Sequence, residues 1–213
     1  MTFLFCAARR RQWLPVAAAV LVIWMAGCSA EATPEASGST IGSVSPSASE
    51  TPTPTVTPKY KPADAKGRAE NVPVPVLPEA AKAETKEGLL AFGRYWFDQL
   101  NYAYETGDVT GLNAVTSPTC EFCVRLSTSL NANYTQGVWL SGGKLRTPSL
   151  SSTYKLDRTG NFQVIVQVQQ DRIDYHSMNA PNYKLTPPSD TGNVMLVVFK
   201  DGGWYLNDLH PIR

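Results

Sequence analysis

Phe162-Gln163-Val164-Ile165-Val166-Gln167-Val168-Gln169 alternates apolar with polar residues, and Ile165 is its one interruption. Successive side chains of an extended chain point to opposite sides, so a period of two marks a strand with one buried face. Before it, Asp157-Arg158-Thr159-Gly160-Asn161 has the residue types of a turn, pairing the strand with 145–156. After it, 194–200 and 204–209 flank Asp201-Gly202-Gly203 as a second hairpin. Between the two pairs, 175–191 reads as loop, with Pro181, Pro187 and Pro188.

Ahead of Gly137 the period is helical. Leu89, Phe92, Trp96, Leu100 and Ala103 stand three or four apart, and Leu90 and Phe97 widen the stripe, which predicts one long amphipathic helix within 82–106. Gly107 suits a left-handed stop, and Asp108 caps a short second helix through Val115. Ser117-Pro118 supplies an N-cap and a first-turn proline for a third helix carrying Phe122, Leu126, Leu130 and Tyr134. Helices first and antiparallel strands last is an α+β arrangement, with the long helix covering the apolar face of the sheet. The segment 79–213 has the size of one domain with one core.

The 28–78 segment has another character. It is Ser, Thr, Ala, Pro and Glu with few large apolar residues, as in Thr51-Pro52-Thr53-Pro54-Thr55-Val56-Thr57-Pro58. Such a stretch buries too little surface to offset its ordering entropy, so it is expected to be a disordered tether. About 50 residues average about 40 Å as a coil and reach ~150 Å if polyproline-extended. Val72-Pro73-Val74-Pro75-Val76-Leu77-Pro78 is apolar enough to lie against the domain that follows.

At the start, Arg9-Arg10-Arg11 precedes an apolar run from about Trp13 to Ala26 and then Met25-Ala26-Gly27-Cys28. The run is short for a membrane crossing, which needs ~20 residues, and Pro15 interrupts it. A cationic start, a short apolar segment and small residues before a cysteine read as an export signal over 1–27 ending in a lipidation site at Cys28. Two or more acyl chains give stable attachment, so the partner expected first is membrane lipid, through an acylated, palmitate-like Cys28 at the outer face of the cytoplasmic membrane. Arg10-Arg11-Gln12-Trp13-Leu14 resembles a twin-arginine export motif with Trp in place of Phe, and the general secretory route stays open beside it. Losing 1–27 takes Lys+Arg from 19 to 16 against 18 Asp+Glu, a net charge of about −2. Without a basic run in the remainder, nucleic acid is not an expected partner.

Pro78-Glu79-Ala80-Ala81-Lys82, Thr85-Lys86-Glu87-Gly88, the run from Asn101 to Asp108 and Ser117-Pro118-Thr119-Cys120-Glu121-Phe122-Cys123 resemble an uncharacterised family of actinobacterial secreted lipoproteins, the domain of unknown function DUF6318. The resemblance covers the folded domain. It implies a fold similar to nuclear transport factor 2, a curved cone-like sheet closed by N-terminal helices, and carries no activity with it.

Cys120-Glu121-Phe122-Cys123 is the one constellation with chemical content. Residues three apart share a helix face, and an exported chain sits in an oxidising space, so a disulfide stapling the start of the third helix is expected. Thiol-disulfide exchange is the alternative, against which no βαβ setting is visible. No metal site is expected, because Cys6 leaves with the signal, Cys28 is acylated and no second Cys/His pair exists. Asp171, Asp174 and His176, or Asp208 and His210, could form acid/base groups but read first as solvated loop positions. Ser141-Gly142-Gly143 lacks the strand-turn-helix setting of a nucleophile elbow. No cofactor or catalytic residue is assigned. The aromatic residues Tyr95, Trp96 and Trp139 are expected to line a pocket at the cone's mouth. The expectation is therefore a non-enzymatic binding domain whose partner is a cell-envelope protein or a small apolar ligand. A carrier or enzyme using the cone interior, with Tyr95 or Asp98 as its polar group, is the alternative.

Overall fold

The computed structural model describes residues 58–179 and 184–212. The expected signal over 1–27, the expected lipidation site Cys28 and the expected tether up to residue 57 lie outside the described residues. After a 3-10 turn over Glu79–Lys82, the elements run α1 (Lys86–Thr106), α2 (Thr110–Ala114), α3 (Glu121–Thr135), β1 (Val138–Gly142), β2 (Leu145–Ser151), β3 (Phe162–Gln170), β4 (Ile173–Ser177), β5 (Lys184–Thr186), β6 (Ser189–Lys200) and β7 (Gly203–Pro211). This is an α+β fold.

α1 starts where Thr85 accepts a hydrogen bond from the Gly88 amide and stops at Gly107 with φ 78°. The predicted stripe of Leu89, Phe92, Trp96, Leu100 and Ala103 is buried throughout, joined by Phe97. Its partners are the inward residues of the sheet, Val164 and Val166 on β3, Met195 and Val197 on β6, and Leu206 and Leu209 on β7. The outward residues of β3 include Ile165, which interrupted the alternation and is 53% exposed. α3 begins at Glu121 with Cys120 as its cap, three residues later than the Ser117-Pro118 signal, because Ser117 is used elsewhere. Its amide donates to the Leu206 carbonyl while Leu206 donates to Val115, so the α2–α3 connection covers the edge of β7.

Among the described residues, seven strands pair as two antiparallel sheets, β1-β4-β5 and β2-β3-β6-β7. They are lengths of the same chain runs. β1 leads into β2 through Gly142 and Gly143, both at positive φ, and β3 leads into β4 through Asp171 and Arg172. Across this bend the Gly143 amide donates to the Arg172 carbonyl at 2.8 Å and the Asp171 amide to Lys144 at 3.0 Å, so the pairing passes from one sheet into the other. A Cβ on Gly142 would stand 2.3 Å from the Arg172 carbonyl oxygen, which is why the bend falls on glycine. β4 and β5 lie where loop was expected over 175–191. Tyr175 and Leu185 fit strand, and Pro187 sits at the break between β5 and β6, outside the paired segments.

The spacer was expected to extend to Pro78, and this is corrected. Residues 58–78 form a strap held on the domain. Lys61 and Glu70 pair through both backbone and side chains, and Asp64 closes the turn by accepting from Lys66 and Gly67. Trp139 Nε1 donates to the Asp64 carbonyl at 2.8 Å, Arg68 to the Tyr134 carbonyl at 2.7 Å, and Tyr60 to Glu105 at 2.6 Å. Low hydrophobicity matters less here because the partners are backbone carbonyls and amphipathic rings.

Candidate functional site

Of the three aromatics expected to line a pocket, Trp96 is fully buried and Trp139 is 4% exposed, so neither offers surface to a ligand. Trp96 Nε1 donates to Thr116, and Tyr95 is half-buried and takes a hydrogen bond from Gln99. The two tryptophans are core and Tyr95 packs against it, and the interior of the bent sheet is filled by its own side chains. A cavity of about 130 Å³ lies at its mouth between α1, α3 and the sheet, with Phe97, Leu100, Phe122 and Leu126 on the helix side and Gln170, Ser189, Thr191 and Asn193 among its sheet-side residues. Phe122 is 44% exposed there. Sequence reading counted Phe122 as a core position of α3 and missed its place at the mouth.

Cys120 and Cys123 are joined by a disulfide. Cys120 is 0% and Cys123 3% exposed, so an exchange partner has no approach to either sulfur. Cys120 Sγ also accepts from the Cys123 amide, which makes the bridge part of the helix cap.

His176 is not the solvated residue expected. It lies on β4 opposite Trp139, is 2% exposed, and its Nε2 is 2.7 Å from Ser141 Oγ. Nδ1 has no hydrogen-bond partner among the described residues. With the proton on Nδ1, a buried N–H would be left unpaired; with it on Nε2, only a lone pair is. The second tautomer costs less, so His176 donates to Ser141. A serine that accepts from an imidazole is not activated by it as a nucleophile. The carboxylates expected to crowd His176 are engaged elsewhere, Asp171 with Arg146 and Asp174 with Arg172. Asp208 and His210 form a surface pair at 3.2 Å. Among the described residues no cluster of His, Cys, Asp or Glu is fit to hold a metal.

A groove between the strap and α1 has the open chemistry. Its volume is about 420 Å³, and a smaller recess of about 160 Å³, reaching Ser141, shares Tyr60, Asn101, Glu105 and Lys144 with it. One wall is the 72–76 run of alternating valine and proline. The other is a row on α1, Asp98, Tyr102 and Glu105, spaced four and three apart on the face away from the core. Lys144, just past the glycine bend, stands at the end. Glu105 accepts from Tyr60, whose pKa is pushed up to about 12 by burial and by that carboxylate. Asn101 is saturated by the Leu145 backbone, donating to its carbonyl and accepting from its amide. Burial raises the Asp98 pKa, outweighing the pull of Lys144 and Arg94. Asp98 therefore faces the strap and not the cone interior, as the sequence alone had it. Its position two residues off the apolar stripe carried that information, but nothing local showed that a strap would cover it.

The sequence model described as a family of unknown function (DUF6318) matches residues 58–210, and the chain belongs to that family. The match begins where the strap begins. No curated protein matches the chain. Among solved structures, the intermembrane-space region of the chloroplast protein ARC6 is similar at 10% identity and a TM-score of 0.45, over 61% of this chain and 98% of that one. An uncharacterised protein with a cystatin-like fold from Caulobacter vibrioides is similar at 12% identity and a TM-score of 0.38, over 60% and 91%.

Proposed function

We propose that this member of the family is an exported actinobacterial lipoprotein, anchored through Cys28 at the outer face of the cytoplasmic membrane, that displays a non-enzymatic binding domain. The observation that carries the reading is the strap. The segment that joins the domain to its tether is also a wall of the open groove, so binding there is presented at a distance from the membrane set by the remaining spacer. The tautomer of His176 and the burial of the Cys120–Cys123 bridge support a binding role over an enzymatic one. Changing Cys28→Ala tests the anchor: fractionation is expected to find the variant in the medium or unprocessed, and normal processing with unchanged membrane attachment would overturn it.

A second reading, a carrier of a small apolar molecule, is favoured by the mouth cavity. At about 130 Å³ it is near the size of an apolar cavity that takes a benzene-sized guest, about 150 Å³. Phe122→Ala is expected to abolish any such uptake and to leave the strap groove untouched. Binding of an apolar fluorophore that survives this change would remove the second reading.

A further inference from the structure

We propose that the groove between the strap and α1 binds a zwitterion of dipeptide size, with its ammonium on Asp98, its carboxylate on Lys144 and an apolar side chain against the 72–76 wall. This rests on the reading of the domain as a binding module and assigns that site its ligand chemistry.

Two opposite charges stand in one groove, met only by water. Asp98 and Lys144 line the same groove, and neither side chain makes a hydrogen bond or an ion pair among the described residues. They form no ion pair with each other, yet Lys144 acts on the Asp98 carboxyl through space, as does Arg94 one turn earlier on α1. Of the other polar groups around them, Glu105 Oε2 accepts from Tyr60 and both amide atoms of Asn101 are bonded to Leu145, while the Tyr102 hydroxyl stands open beside them. A ligand with one positive and one negative group fills the gap and meets both charges, whereas a simple cation or anion leaves one unmet. Pro73 and Pro75 have no N–H, so the strap wall presents mainly methyl and ring carbons. A volume of about 420 Å³ falls in the usual range of ligand pockets, about 300–1,000 Å³, and suits a dipeptide better than one amino acid.

The probe is L-valyl-L-phenylalanine, titrated calorimetrically into the full-length chain in detergent, beside its C-terminal amide and its N-acetyl form. Binding of the free dipeptide is expected, weakened at least tenfold by blocking either end and by Asp98→Asn or Lys144→Gln. Both side chains lie at the surface, and unchanged melting temperatures would show the variants folded. Equal binding of all three compounds, or no binding of the free dipeptide at millimolar concentration, would overturn the proposal. Native mass spectrometry of the chain recovered from cell envelopes separates the two readings. A small molecule that co-purifies and persists in the Asp98→Asn/Lys144→Gln variant leaves a binding module but removes the zwitterion site. No co-purifying molecule together with no dipeptide binding removes both.

Discussion

Removing the Ser141 hydroxyl would leave the buried imidazole of His176 with no partner on either nitrogen. An orphaned buried polar group costs about 1–3 kcal/mol, while replacing both partners by apolar groups is close to neutral. Ser141→Ala is thus expected to lower stability by about 2 kcal/mol, and Ser141→Ala/His176→Phe by less, as read from urea midpoints. A double variant no more stable than the single one would contradict the pairing. Tyr60 and Tyr134 provide a second test at this scale. Burial is the largest cause in both, and each pKa is pushed up from 10.0 to about 12. A phenol with a raised folded-state pKa binds its proton more tightly in the fold. Its contribution is complete below pH 10 and is lost as pH rises through about 12. Alkaline titration of tyrosinate absorbance should therefore show late-titrating phenols, one of which disappears in Tyr60→Phe. The residue type of His176 was plain in the sequence, but its burial was not, because burial depends on Trp139 and Ser141 from another strand.

Each end of an element is fixed by local chemistry that can be broken singly. Gly107 ends α1 at φ 78°, and a Cβ there would stand 2.2 Å from the Tyr134 ring. Gly107→Ala combines left-handed strain with that clash and is expected to cost at least about 2 kcal/mol in denaturant unfolding. The Cys120–Cys123 bridge closes a very short loop, so the chain-entropy relation gives it about 2 kcal/mol. Reduction, or Cys120→Ala/Cys123→Ala, should loosen the start of α3 and leave α1 intact, measured as amide exchange confined to that turn. Exchange spreading into α1 would show that the bridge holds more than its own helix. The α1 stripe and the β3 alternation were legible because a helix or strand with one buried face writes its period into neighbouring residues. β4 and β5 were not, since their short runs have no such period and gain strand geometry from β1 and from each other.

For the whole molecule, the strap decides where the domain starts. A chain beginning at residue 79 loses the bonds to Trp139, Tyr134, Gln99 and Glu105. At roughly 0.5–1.5 kcal/mol for each of four bonds, it is expected to be ~2–6 kcal/mol less stable than one beginning at residue 58. Equal urea midpoints for the two chains would show the strap to be an attachment and not part of the fold. The sequence by itself determined the placing of helices before an antiparallel sheet, the glycine stop of α1, the core stripe and the cysteine pairing, all set by residues close together in the chain. Tertiary structure alone decided the strap, the burial of His176 and the meeting of Asp98 with Lys144. Those contacts join residues tens of positions apart, as far as the 75 between Asp64 and Trp139. Their energy comes from partners that no local period records.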